Sequence, residues 1–409
     1  MPSESNPTRG TSYRWVVLLV FMFVALLSQL QWLTFAPISK EISPIYHVSE
    51  DDVIWLANVW PIVFVVLAIP VGIFIDKRGF VISVRIAAVF LAVFSILRVA
   101  APFLGNNFYV LLIAQVGGAV SQPFIFGSIA KLAVNWFHER ERGLATGLGT
   151  MGLFLGMMLA YFLIPPLYSA MEMTKMLMIL ALLSSAGAFL FFVVARERNI
   201  TETSESESFT LSQLWTLSKN RDFAILEYGF FVTIGGFTAI LTWLELMLRS
   251  LNSAITVDQA GIIGGMIIIG GIIGSIAVPA LSDRYKKIKI FVLIDLLVGT
   301  IAFYFIGAIP TYPLLIVTSL IMGFFLMSAL PLVLEISNRI AGPGMEGRAS
   351  SMLWFFSQIG SIILTTMVIP IKDLGNGYMA SILVIAVLWV VAFLFFLFLR
   401  ETKQPSTTP

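Results

Sequence analysis

The chain has no cysteine and only two histidines, His47 and His138, in 409 residues. Without thiols there is no disulfide, no thiolate metal site and no cysteine nucleophile. The two histidines fall in separate loops, too far apart in the expected topology to share a metal ion. Charge is also scarce. Only 12% of residues are Asp, Glu, Lys or Arg, against about 25% in a soluble domain. The net charge of +2 gives no sign of a nucleic-acid partner. No nucleophile–base–acid set and no phosphate-binding glycine loop is present. The glycine-rich run 261–274 is apolar, and glycine there suits close helix packing. Neither an enzyme nor a cofactor is expected.

What the chain does have is apolar sequence. It is 58% hydrophobic, in runs of about 20 residues or more, the length that crosses a bilayer as a helix. Twelve such runs are predicted, at 14–37, 52–75, 80–100, 107–134, 143–166, 173–195, 222–248, 257–281, 288–309, 313–340, 348–371 and 377–399. The first is read as a retained span, because it runs well past the length of a signal-peptide core. The polar stretch 196–221, with Glu202, Glu205 and Glu207 among Ser and Thr, reads as a flexible linker. The expected architecture is an all-α membrane protein with twelve transmembrane helices. These form two pseudo-symmetric six-helix bundles, 1–195 and 222–409, joined by the linker 196–221.

Orientation follows from the bases. Twenty of the 25 Lys and Arg collect on one side of the predicted topology. The other side holds only Lys40, Arg98, Lys175, Arg249 and Lys372. Both termini and the linker are therefore expected in the cytoplasm of a cell-membrane protein, leaving the sequon Asn199-Ile200-Thr201 unglycosylated.

The stretch Ile69–Phe80 joins the second and third runs with Gly72, Asp76, Lys77, Arg78 and Gly79. Gly72 would allow close helix approach and Gly79 a sharp turn. A second copy, Val278–Lys286, carries Asp283 and Arg284. Asp76 and Asp283 differ by 283 − 76 = 207, and Arg142 and Arg348 by 348 − 142 = 206. Two features with nearly one offset indicate a parallel repeat.

Twelve spans, two halves and this turn resemble the major facilitator superfamily. Gly72, Asp76, Lys77 and Gly79 match its signature after the second span, while Phe80 stands where the family usually has a base. The resemblance implies that Asp76 meets the N-terminus of span 11, where free backbone N–H groups and Arg348 favour an acid. Asp76, Arg142, Asp283 and Arg348 would then hold a cytoplasmic gate. The plain alternative is a solvated, topology-setting loop.

Polar side chains inside spans are the best functional candidates. Span 1 carries Gln29, Gln31 and Trp32; span 4 carries Gln115 and Gln122, seven residues apart and so on one helical face. Span 7 carries Thr238, Thr242 and Glu245, span 10 Glu335 and span 11 Gln358. Each has a bland reading. Gln often joins helices, Trp often anchors at the interface, and Glu335 can pair with Arg339 one turn on. Asp295 reads as structural. No base falls in the centre of a span, which disfavours an organic anion and favours a neutral or cationic solute. Trp32 with amide oxygens and an acid suits an ammonium.

Four stretches resemble the feline leukaemia virus subgroup C receptor family of facilitators, associated with choline and ethanolamine and, for some members, haem. They are Arg14-Trp15-Val16-Val17 leading to Leu30-Gln31-Trp32; Gln115 through Ser121-Gln122-Pro123-Phe124-Ile125; Leu330-Pro331-Leu332 followed by Glu335; and Glu346-Gly347 leading to Ser357-Gln358. The resemblance implies Trp32 as the ring over the ammonium, with Gln122 and Gln358 as polar contacts and Glu335 as an acid of span 10. The family's choline carriers place a Tyr in span 7 where Thr238 aligns here. The expected function is secondary-active or facilitative transport of a small neutral or cationic organic solute, choline- or ethanolamine-like favoured, by alternating access in a monomer in the bilayer. Protons could couple through Glu335 or Glu245. The rivals are a proton-driven exporter of drugs or metabolites and a non-transporting membrane sensor on the same fold.

Overall fold

The computed structural model describes residues 12–196, 217–342, 345–374 and 377–400. Most of the linker, with its sequon and acidic residues, lies outside the described residues. Twelve described helical stretches are long and apolar enough to cross a membrane. The chain divides into two compact units. The first takes Met1–Phe35, Ile42–Ser49 and Trp55–Ser208; the second takes Ala36–Glu41, Glu50–Ile54 and Phe209–Pro409.

The first predicted span is not one helix. α1 (Tyr13–Trp32) stops, a single 3-10 turn follows at Ala36–Ile38, and α2 (Ser39–Tyr46) resumes. The cause is Pro37. It has no N–H for the carbonyl of Leu33, and its ring crowds that carbonyl. α3 (Glu50–Arg78) and α4 (Phe80–Phe103) are joined through Gly79, whose φ of +81° suits a residue without Cβ. Span 4 is also divided, into α5 (Phe108–Ala119) and α6 (Ser121–Trp136). Pro123 removes the bond that would close on Ala119, and the helix is interrupted at Val120. Val120 itself keeps helical dihedrals, φ −55° and ψ −28°, so the seven-residue spacing of Gln115 and Gln122 still holds across it. Asn107 starts α5 by accepting from the backbone N–H groups of Tyr109 and Val110. α7 (Glu139–Ala170) and α8 (Met173–Val194) complete the first unit.

The second unit contains α9 (Arg221–Leu251), α10 (Val257–Tyr285), α11 (Ile288–Ala308), α12 (Tyr312–Ala341), α13 (Glu346–Asp373) and α14 (Tyr378–Leu397). Asn220 caps α9, and Thr256 with Gln259 forms a reciprocal capping box on α10.

The same pairing recurs in each unit. α1 packs along α7, and α9 packs along α13. Glycines make the approach close. A Cβ on Gly152 or Gly156 of α7 would strike the carbonyls of Met22 or Leu26 in α1. A Cβ on Gly360 of α13 would strike the carbonyl of Phe231 in α9. α10 and α12 meet likewise, with Gly270 and Gly274 against the carbonyls of Leu320 and Phe324, and Gly323 against that of Ile267. The run 261–274 thus includes contact glycines. Gly72 does not serve this purpose, since nothing lies within 4 Å of where its Cβ would stand.

Candidate functional site

In the first unit the candidates gather at the two helix breaks. Trp32 is the last residue of α1. It is 7% exposed, and its indole N–H donates to the carbonyl of Ala57 at 3.1 Å. Gln122 is the second residue of α6 and is buried, with its Oε1 lacking a hydrogen-bond partner. Gln115 is not a free contact. Its Oε1 accepts from the Trp60 indole at 3.2 Å and from the Arg98 guanidinium.

Arg98 is the residue whose surroundings sequence reasoning missed. It lies five residues before the end of α4 and is 1% exposed. Arg98 lies near the end of its helix rather than at its centre, and what the sequence left unread is its burial. The signal was present in Ile96-Leu97-Arg98-Val99-Ala100-Ala101, a base with apolar neighbours on both sides. Around it sit the Phe35 ring, 5.9 Å from the guanidinium carbon, and Gln31, whose amide donates to Ser184 and to the carbonyl of Leu91 at 3.4 Å. A Cβ on Gly118 would lie 3.3 Å from Arg98 Nη2 and 3.6 Å from Gln31 Oε1, so glycine there makes room for the cluster.

The gate candidates of this unit lie at helix ends. Asp76 and Lys77 are exposed in the last turn of α3. Asp76 pairs with Lys131 of α6 at 3.0 Å, within its own unit. Arg142, in the first turn of α7, has a buried Nε without a partner. Arg14 pairs with Glu141 at 2.8 Å.

In the second unit the two candidate acids, Glu245 and Glu335, each pair with an arginine. The buried Glu245 bonds Arg249 at 2.6 Å, and Arg249 also bonds Glu41 at 2.7 Å. The backbone N–H of Lys40 donates to the other oxygen of Glu245 at 3.0 Å. Glu41 and its strand of chain after Pro37 were missed by sequence reasoning, because the pairing spans about 200 positions. Glu335 pairs with Arg339 one turn away, which is the local reading considered above. Thr238 and Gln358 are buried, and the carbonyl of Thr238 accepts from the Thr242 hydroxyl at 2.8 Å. Trp243 points into its own unit, donating to the carbonyl of Thr365 at 2.9 Å. Asp283 and Arg284 are exposed at the end of α10. Arg348 is half-buried near the start of α13, with Nη1 3.1 Å from the Met345 sulfur. Asp295 is buried in α11. Among the described residues no group of acids and histidines could hold a metal ion.

A family model described as Major Facilitator Superfamily matches residues 21–365. Among curated proteins, the chain is 26% identical over 412 residues to the choline/ethanolamine transporter flvcr2a of Danio rerio, covering 94% of this chain and 87% of that protein. It is 27% identical over 388 residues to the choline/ethanolamine transporter FLVCR2 of Homo sapiens, covering 89% and 73%. Among solved structures, a bacterial homologue of the human lysosomal transporter Spinster, inward-facing and unoccupied, superposes with a TM-score of 0.74. That match covers 95% of this chain and 97% of the other at 15% identity, and it speaks for the fold alone. The family match takes in most of the chain, and the twelve spans and paired helices agree with it: the chain belongs to the Major Facilitator Superfamily of membrane transporters.

Proposed function

We propose that this multi-pass transporter carries a small organic amine, choline- or ethanolamine-like, across the cell membrane by alternating access. The observation that carries the reading is the position of Trp32 and Gln122. Trp32 ends α1 at a break in its span, and Gln122 precedes Pro123, where the hydrogen-bond ladder of span 4 loses a donor. Broken helices are where transporters of this kind build solute sites, because irregular backbone is tolerated only where it faces protein or a cavity. Trp32 offers a ring face for an ammonium, and Gln122 offers an unbonded amide oxygen. The relatives named as choline/ethanolamine transporters support the same chemistry. Thr238, Gln358 and Glu335 of the second unit are the further contacts in this reading. The pairing of Glu245 and Glu335 with arginines disfavours these two acids as the proton carriers of an exporter.

In the same proposal the termini and the linker 196–221 are cytoplasmic, and the bundles 1–195 and 222–409 act as monomeric halves of one carrier. Gly72, Asp76, Lys77, Gly79, Arg142, Asp283, Arg284 and Arg348 belong to the cytoplasmic gate. The test is thermal stabilisation of purified protein by choline, ethanolamine, amino acids and small carboxylates, with Trp32→Ala alongside. A ligand that binds only the folded state raises its apparent stability by RT ln(1 + [L]/Kd). A shift with an amine that vanishes in Trp32→Ala is the expected result. The absence of a shift with every amine would overturn the amine reading. Binding without uptake into proteoliposomes would point to a sensor.

A further inference from the structure

Hydrogen-bond accounting around Arg98 leaves an imbalance. The guanidinium is buried, and its described polar contact is the neutral Gln115. No carboxylate pairs with it among the described residues. Its Nε and Nη1 have no hydrogen-bond partner. Gln115 cannot turn its amide to help, because Oε1 already accepts from both Trp60 and Arg98. That orientation leaves Gln115 Nε2 as a third buried donor without an acceptor. The unmatched acceptors on neighbouring residues are neutral: Gln31 Oε1 and the hydroxyl of Ser95, one turn before Arg98 on α4. A buried formal charge is normally paired, and buried donors are normally satisfied. Donors in excess, one of them charged, define a site for an acceptor that is itself negative.

We propose that the first unit binds a small monovalent anion on Arg98 and Gln115, held inside the bundle as the counter-charge to the guanidinium. Two sources share this chemistry: an inorganic halide, and the carboxylate of a small organic acid. Arg suits either, presenting several N–H donors in a fixed plane. The surrounding rings of Phe35 and Trp60 exclude bulk water and so strengthen the attraction. The anion would fix the region behind the α1 break, since Gln31 and Phe35 flank Trp32 in the chain. This site is independent of what the protein transports.

The experiment uses the purified full chain in detergent, equilibrated in gluconate, chloride, bromide, formate or acetate at constant ionic strength. The unfolding midpoint is followed as each anion replaces gluconate. In wild type a saturable rise with chloride and bromide is expected, or with formate and acetate if the carboxylate is the natural anion. Arg98→Gln should lose the dependence. Gln115→Met, which keeps the arginine, should shift the half-saturating concentration upward. If Arg98→Gln does not fold, Gln115→Met and bromide anomalous scattering beside Arg98 in wild-type crystals decide the matter. A midpoint equal in gluconate and in every small anion, or an anion dependence unchanged in both variants, would overturn the proposal.

Discussion

The indole N–H of Trp32 is bound to the carbonyl of Ala57, at 3.1 Å, at the residue where α1 ends. This bond fixes the ring while leaving its faces to other partners, so anchoring and recognition can be separated. Trp32→Phe keeps a ring but loses the bond, which costs about 0.5–1.5 kcal/mol of stability. Trp32→Ala loses both. With a ring contact of about 0.5–2 kcal/mol, Trp32→Ala should weaken choline binding about 2- to 30-fold, and Trp32→Phe much less. Choline-dependent shifts of the unfolding midpoint measure both.

Arg249 provides a sharper stability test. Replacing it with Met leaves Glu245 buried without its cation, a change that typically costs about 3–5 kcal/mol. Arg249→Met should therefore lower the unfolding midpoint strongly. Adding Glu245→Gln should restore part of the loss, because the stranded charge is gone. A double-mutant cycle gives the coupling. Additive effects would show that the bond at 2.6 Å contributes nothing specific.

Asp76 and Lys131 should behave in the opposite way. Their side chains are 43% and 32% exposed, and exposed pairs are worth about 0–1 kcal/mol. Asp76→Asn should leave the unfolding midpoint nearly unchanged while lowering the rate of choline uptake into proteoliposomes. An unchanged rate would remove Asp76 from the gate.

The absence of cysteine makes topology directly measurable. Ser206→Cys in the linker should react with a membrane-impermeant maleimide only after the cells are opened. Ser253→Cys, in the exposed connection between α9 and α10, should react in intact cells. The reverse pattern would invert the proposed orientation.

Long apolar runs made the twelve spans readable, because burying a bare backbone in lipid forces helices wherever about 20 such residues follow one another. Gly79 was readable too, since a tight reversal needs a residue free to take positive φ. The interruption after Trp32 was not, although Pro37 lies four residues beyond the carbonyl it leaves unbonded. Several other prolines, Pro61 and Pro70 among them, stay inside continuous helices, so proline alone does not mark a break. The Arg98 cluster escaped because it joins residues of five separate spans. Spacing along one helix carries no information about such a meeting. Glu245 was noticed as an acid in a span, yet its partner Glu41–Arg249 arrangement depends on where the chain goes after Pro37.

The glycine contacts of α1 with α7 and of α9 with α13 have a mechanical consequence. Backbone touches backbone there, with no flexible side chain between. Two rods fastened along their length resist bending more than the same rods left loose, and they cannot slip past each other by one residue. α7 has 32 residues, about 48 Å at 1.5 Å per residue. The contact of α7 with α1 covers Gly152 to Gly156, so this part of the pair is the one expected to move as a unit.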